Sequence, residues 1–542
     1  MTEGKFSLNG IFIRLWEKPE NIPAPYESFS RKLYGTHGLP GDYMDEGTLA
    51  IATAFALYLS AMVAIGLFYW KKTVTVSQYI LGNRMLGRFV AALSAEASDM
   101  SGWLLIGLPG LAYVCGLSAG WVAIGLAVGT YLNWRYVAPR LRVYSAIAGD
   151  ALTLPEFFRN RFHDRSDLIG VTCAVFILIF FVIYTSAQFV AGGKLFTTVF
   201  GIDYRLALIA GSLIVVAYTF SGGFLAVCVT DTIQGILMFF AILIVPVTAV
   251  ILAGGKAATE GIGALAGQQL LNPFVNPDGS LLPLIAIISL AAWGLGYFGQ
   301  PHILVRFMAI EKPQEIRGAR RIAMAWVIVT LAAAIAIGLV GRALLPMPLT
   351  GPDTETVFIV MTMDTFPAFL AGVVLCGILA AVMSTASSIL LVASAALSRD
   401  VYFPLLRPRA TDRELLWISR ISVLMIAGVA LLLGLDPDCI VFSIVAYAWA
   451  GFGAAFGPAL LACLFWRRAT KVGVLAGILT GGVTVIIWKY LGLFGIYEII
   501  PGFVLSLVAI WTVSRLTPAP EAAVIAEFDL AEEETQRLGN RK

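Results

Sequence analysis

The 542-residue sequence predicts an all-α polytopic membrane protein with about thirteen transmembrane helices. Three observations carry this. Hydrophobic residues make up 59% of the chain and charged residues only 13%, with a mean hydropathy of +0.84. A soluble domain carries about 25% charged residues and has no core able to hide so much apolar surface. Runs long enough to cross a bilayer as helices recur along the chain, and Lys and Arg gather in every second connection between them.

Taken in order, runs of about 20 apolar residues fall at roughly 47–70, 88–113, 118–138, 167–193, 204–222, 231–254, 281–301, 321–345, 367–396, 415–435, 440–465, 472–491 and 496–516. The connection after the first holds Lys71, Lys72, Arg84 and Arg88. Basic groups follow the third (Arg135, Arg140, Arg142), seventh (Arg306, Lys312, Arg317), ninth (Arg399, Arg407, Arg409) and eleventh (Arg467, Arg468, Lys471). The other connections hold only Lys194, Arg205, Lys256, Arg342 and Lys489. This asymmetry predicts an N-terminus outside and a C-terminus inside. The chain then divides into a polar tail at 1–45, a membrane domain at 46–516 and a polar, acidic cytoplasmic tail at 517–542. The first tail strains the rule, because its charges must be exported; a native start at Met44 would remove them.

Other classes fall away. Residues 1–45 lack the apolar core of a cleavable signal peptide. The six cysteines are scattered without CxxC or Cys/His spacing, which excludes a disulfide framework or zinc site. A net charge of +3 gives no case for nucleic acid, and no nucleophile–base or metal constellation suggests an enzyme.

Four spans are not plain. The second holds Ser94, Glu96, Ser98, Asp99, Ser101 and Gly102, then Pro109 and Gly110. Ionisable groups at membrane depth mark function by default, and a broken helix lining a cavity accommodates them better than an intact one. The ninth packs Ser384, Thr385, Ser387 and Ser388 together, hydroxyls that suit either helix packing or a hard monovalent cation. The seventh holds Trp293 and Tyr297 four residues apart, on one helical face, among Gly294, Gly296, Gly299 and Pro301. His302 follows and reads as a satisfied structural residue. Tyr184 in the fourth span lines the same cavity or joins helices. Asp231 opens the sixth span, where a carboxylate suits a helix start with or without a transport role. Glycine-interrupted spans five apart fit an inverted five-plus-five repeat, with halves near 88–254 and 281–465.

Over about residues 45–515 the chain resembles the sodium/solute symporter family, and its proline-carrying members above all. The resemblance rests on ASDMSGWLLIGLPG (97–110), YTFSGGFLAVCVTDT (218–232), WGLGYFGQPHILVRFM (293–308), ILAAVMST (378–385), YAWAGFGAAFGPALL (447–461) and YEIIPGF (497–503). It implies a LeuT-type core with helices broken at spans 2 and 7. It also implies sodium held by the carbonyls of Ala97, Met100 and Ala381 and the hydroxyls of Ser384 and Thr385, with Asp99 setting sodium affinity. Ser101, Gly102, Trp103, Tyr184, Trp293 and Tyr297 match substrate-side positions, and Arg84 and Asp231 match positions tied to coupling. The implied activity is sodium-coupled import of L-proline through a bacterial inner membrane, with no obligate protein partner. Another small solute (a different amino acid, a sugar acid, a vitamin) and a transporter-like sensor are the alternatives. Glu96 departs from the family pattern, which has glycine there; Ser388 stands where some relatives have cysteine.

Overall fold

The computed structural model describes residues 46–70, 75–221 and 223–540. The start-site reading at Met44 and the loop residues Lys71 and Lys72 lie outside them. The described residues form an array of helices: α1 (Glu46–Trp70), α2 (Val76–Leu81), α3 (Arg88–Gly102), α4 (Leu108–Cys115), α5 (Gly120–Leu132), α6 (Ala138–Ile147) and α7 (Leu154–Arg161). There follow α8 (Leu168–Phe200), α9 (Tyr204–Ser221), α10 (Phe224–Gly267), α11 (Leu284–Ala291), α12 (Pro301–Ala309), α13 (Ile316–Leu344) and α14 (Val357–Thr365). The chain ends with α15 (Ala368–Ala395), α16 (Asp412–Leu433), α17 (Val441–Phe465), α18 (Lys471–Leu491), α19 (Ile499–Leu516) and α20 (Ala522–Asn540). Helix starts follow local chemistry: Thr153, Thr411 and Thr470 each accept a hydrogen bond from the N–H three residues on.

Ten described helical stretches are long and apolar enough to cross a membrane, or eleven with the bent pair at Leu284–Gly299 and Pro301–Ala309 counted as one. Two places account for the distance from thirteen. The run Arg88–Ile147 counts once, although 60 residues of helix reach about 90 Å, some three hydrocarbon thicknesses. Gly116, at φ +65°, ends α4 inside that run. The apolar stretch Tyr204–Ala217 in α9 falls short of the required length.

The spans bury themselves unequally. The most apolar window of α17 is 89% buried and that of α1 28%, so α17 lies in the centre and α1 at the rim. Close helix contacts rest on glycine. A Cβ on Gly125 would run into the backbone of Ala291, and one on Gly129 or Gly294 into the backbone of the other's helix. The 517–542 segment, expected as a polar tail, contains an amphipathic helix. α20 buries Val524, Phe528 and Ala531 along one face against α6.

Gly129→Ala therefore destabilises the protein by about 1–3 kcal/mol, because backbone cannot yield to the new methyl. Gly428→Ala, in α16 with nothing within 4 Å of the new methyl, is neutral or mildly stabilising. Thermal unfolding in detergent separates the two.

Candidate ion and substrate site

Span 2 breaks at Ser101. Its backbone sits at φ 47°, ψ −175°, a conformation that costs a residue other than glycine about 1–3 kcal/mol. Residues 103–107 then wind as one wide π turn before α4. The break frees backbone groups, and side chains satisfy them. The Trp103 N–H donates to Ser101 Oγ at 3.0 Å, and the Gly102 N–H to Gln188 Oε1 of α8 at 3.0 Å. The Tyr184 hydroxyl donates to the Asp99 carbonyl at 3.1 Å. Gln188 carries no role in the sequence reading; only the fold reveals it as the partner of the break.

Span 7 breaks as well. Residues 292–299 form a 3₁₀ segment, and α12 leaves α11 at 46°. In a 3₁₀ helix residues four apart do not share a face, so the one-face argument for Trp293 and Tyr297 fails locally. The two side chains still meet the same cavity. The freed carbonyls find donors: Trp449 Nε1 reaches Trp293 O at 2.7 Å, and Asn133 Nδ2 reaches Tyr297 O at 3.0 Å. Gly296 leaves room for the Trp449 indole and Gly299 for the Phe452 backbone.

The two breaks face each other. The Tyr297 hydroxyl donates to Asp99 Oδ2 at 2.6 Å. Trp103 stacks on Trp293 with ring centroids 5.3 Å apart, and Phe442 lies 5.0 Å from Trp293. Between them Asp99, Met100, Trp103, Tyr184, Trp293 and Tyr297, with Trp449, line a small cavity. Ser101 and Gly102 shape it through the backbone without lining it. A second, larger cavity shares Trp293 as a wall and is also lined by Phe442, Trp488 and Tyr497. The aromatic stack is thus a partition between the two.

Three of the five residues expected to hold sodium meet where α3 packs on α15. Ser384 Oγ donates to the Ala97 carbonyl at 2.8 Å and lies 3.2 Å from the Ala381 carbonyl. Thr385 Oγ1 is buried without a hydrogen-bond partner among the described residues. Met100, three residues on from Ala97, lines the cavity. No group of three His, Cys, Asp or Glu suited to a metal occurs among the described residues. An ion at this junction would meet neutral oxygens, which fits a weakly held hard monovalent cation and leaves Thr385 a use for its hydroxyl.

One turn away, Asp231 is fully buried. The helix that carries it begins at Phe224, so Asp231 lies well inside α10 rather than at its start. Its Oδ2 pairs with Arg306 Nη2 at 3.1 Å and accepts from Ser94 Oγ at 2.7 Å; Ser388 Oγ accepts from Arg306 and donates to Asp231 Oδ2. Arg306, placed by sequence among loop charges, is 0% exposed. Sequence reasoning missed it because an Arg near a span end scores as an interfacial charge, and nothing local shows that α12 turns it inward. His302 is not the satisfied residue expected. Neither ring nitrogen has a hydrogen-bond partner among the described residues, and the ring packs edge-on against Phe181 and Tyr184. Arg84 lies away from the cavity, at 2.7 Å from Asp150 and 2.6 Å from the carbonyl of Met308 near the end of α12. Glu96 faces neither ion junction nor cavity; its Oε1 accepts from Trp134 Nε1 at 2.9 Å, and its Oε2 is buried without a partner among the described residues.

Known proteins resemble this chain in sequence and in fold. Residues 79–481 match the sodium:solute symporter family. The chain is 46% identical to the sodium/proline symporter of Escherichia coli K12, over 89% of this chain and 96% of that one. It is 45% identical to the osmoregulated proline transporter OpuE of Bacillus subtilis 168, over 90% and 99% of the two chains. Its fold is similar to that of a Na⁺-coupled sialic acid symporter, with a TM-score of 0.72 at 18% identity, covering 87% of this chain and 99% of the other.

The Glu96 contact yields a stability test. Trp134→Phe leaves both Glu96 oxygens without a partner and costs about 1–3 kcal/mol. Adding Glu96→Ala to it recovers most of that loss, a coupling read from a double-mutant cycle of unfolding midpoints.

Proposed function

Because the chain belongs to the sodium:solute symporter family, we propose that it imports L-proline together with sodium by alternating access. We also propose thirteen spans, with Arg88–Ile147 crossing twice and α9 once, the N-terminus outside, and residence in a bacterial inner membrane. On this reading 46–516 is the transport domain, its repeats lie near 88–254 and 281–465, and the segments 1–45 and 517–542 are tails.

One observation supports the ion assignment most: the Ser384–Ala97 hydrogen bond across the break, with the unpartnered Thr385 hydroxyl beside it. Sodium would be held by the carbonyls of Ala97, Met100 and Ala381 and the hydroxyls of Ser384 and Thr385, with Asp99 adding negative potential from one turn away. An ion here binds α3 and α15 at once, so it orders the break. That links ion occupancy to the shape of the cavity, which is the requirement for coupling. Proline is an apolar ring bearing two opposite charges. Trp103, Trp293 and Tyr297 offer the walls for its ring, Tyr184 and Asp99 the polar edge. The N–H groups of Gly102 and Trp103 are the donors for its carboxylate once Gln188 and the Ser101 hydroxyl yield them. Entry requires the Trp103–Trp293–Phe442 partition to open. The energy suffices: one charge crossing 100 mV releases about 2.3 kcal/mol, about 50-fold accumulation before the sodium gradient is counted.

Arg306 joins Asp231 and Arg84 in the proposed coupling set. It ties the inner half of span 2 to spans 6 and 9 one turn from the ion junction.

Sodium-driven uptake of labelled proline into proteoliposomes, with competition by other amino acids, sugar acids and vitamins, tests the reading. Uptake that needs sodium and is displaced by proline alone among them is expected; displacement by another solute at lower concentration transfers the substrate assignment to it. Asp99→Asn, and Ser384→Ala with Thr385→Ala, raise the sodium concentration for half-maximal uptake at least tenfold. A loss of proline affinity at saturating sodium, with sodium dependence unchanged, would contradict the ion assignment. Arg306→Gln leaves Asp231 as an uncompensated buried charge and costs about 3–5 kcal/mol; Arg306→Gln with Asp231→Asn restores folded protein, measured by monodispersity and thermal unfolding.

A further inference from the structure

The polar C-terminal segment does more than trail from the last span. α20 seats the face formed by Val524, Phe528 and Ala531, residues four and three apart, on the inner ends of other helices. Arg161, at the end of α7, is fully buried under this face. Its guanidinium lies 5.3 Å from the Phe528 ring and 5.3 Å from that of Tyr144 on α6. The edges of the contact are ionic. Arg467, just beyond α17, holds Asp529 through two hydrogen bonds of 2.8 Å. That contact holds the Asp529 carboxyl below its ordinary pKa. Arg140 of α6 reaches Glu532 at 3.2 Å, and His163 Nε2 lies 2.9 Å from Glu527.

The two helices so joined both run to the cavity. The helical run that ends in α6 carries Asn133, which holds the Tyr297 carbonyl, and Trp134, which holds Glu96. α17 carries Phe442 and Trp449, two of the rings around Trp293. At the inner end of α17, Arg140 donates to the Leu464 carbonyl at 2.6 Å. α20 therefore packs on the inner end of α6 and, through Arg467, reinforces its junction with α17, two elements whose other parts wall the cavity. Its apolar face gives the contact its basal hold. The Arg467 and Asp529 side chains, 60% and 48% exposed, are open to screening by salt.

We propose that α20 is an autoinhibitory clamp: docked, it ties the inner ends of α6 and α17 together and slows the rocking that opens the cavity inward, and rising ionic strength releases it. This rests on the transport reading and inward C-terminus given above. The logic suits a carrier of a zwitterion. Import of a solute without net charge draws in water and dilutes the salt that released the clamp, so the device limits itself.

The test uses the full-length protein in proteoliposomes. In the Arg467→Cys, Asp529→Cys double variant, joining the two thiols with a reductant-cleavable bis-thiosulfonate cross-linker is expected to lower the maximal rate of sodium-driven proline uptake at least threefold and to abolish its rise with lumenal KCl. Reductant restores the higher rate, with a weaker rise with KCl than in the unmodified protein because the ion pair is gone, and each single variant is insensitive to the cross-linker. Truncation after residue 520 is expected to give the high rate at all KCl concentrations. A spin label at the exposed position 526, introduced by Ala526→Cys, is expected to gain mobility as KCl rises, whether or not the protein transports proline. A cross-linked protein that transports as fast as the free dithiol form, a truncated one that keeps the KCl dependence, or a label whose mobility ignores KCl overturns the clamp. Absence of proline uptake by the unmodified protein counts against the substrate reading instead, and the label then decides the clamp alone.

Discussion

The hydrogen bond from Ser384 Oγ to the Ala97 carbonyl, 2.8 Å long and out of contact with solvent, is the constraint around which the rest is arranged. It joins the broken second span to the ninth at the depth where an uninterrupted helix would keep that carbonyl to itself. Backbone at this depth has no water to fall back on, so each freed group needs a partner or a cargo. The hydroxyl of Tyr184, the amide of Gln188 and the side chain of Ser101 take three such groups. What they leave is a knot of neutral oxygens around Thr385, suited to an ion that must bind and leave.

The same rule explains the buried charges. Arg306 and Asp231 compensate each other with Ser94 and Ser388 as further partners. Lys194 and Glu355 pair at 2.6 Å, and the Glu355 carboxylate also accepts the N–H groups of Val441 and Phe442 at the start of α17. A carboxylate there satisfies donors that the helix cannot satisfy itself and lies at the favourable end of its dipole. It also fixes Phe442, whose ring packs at a tilt against Trp293. Burying an ion pair is seldom a net gain in stability; these pairs fix which helix ends stay together, and that is what an alternating-access protein has to control.

Much of this was legible in the sequence. Hydropathy located most of the long helices to within a few residues, because the bilayer imposes one length on every crossing; the sixth run, read as 231–254, belongs to a helix that spans Phe224–Gly267. Ser98, Asp99, Ser101 and Gly102 in span 2, and the glycines around Trp293, announced the two breaks, since polar and flexible residues are costly in lipid unless they have a use. The rest depended on contacts between distant segments. Gln188 and Trp449 become partners of broken backbone only through packing. Arg306 looked like an interfacial charge until the bend at Gln300 turned its helix inward. His302 and Glu96 were visible as odd residues, but their unsatisfied nitrogens and oxygen are properties of a surrounding that sequence does not display. The amphipathic face of α20 could have been found from the spacing of Val524, Phe528 and Ala531; the acidic composition of the tail hid it.

The central claim is that sodium orders the break in span 2 and so prepares the cavity. Amide hydrogen exchange of the purified protein addresses it without a transport assay. The account predicts that sodium alone, against an equal concentration of potassium, slows exchange in residues 97–107 and 381–388, and that proline slows it further only when sodium is present. Exchange in these segments that is indifferent to sodium, while proline protects them equally in either salt, would contradict it.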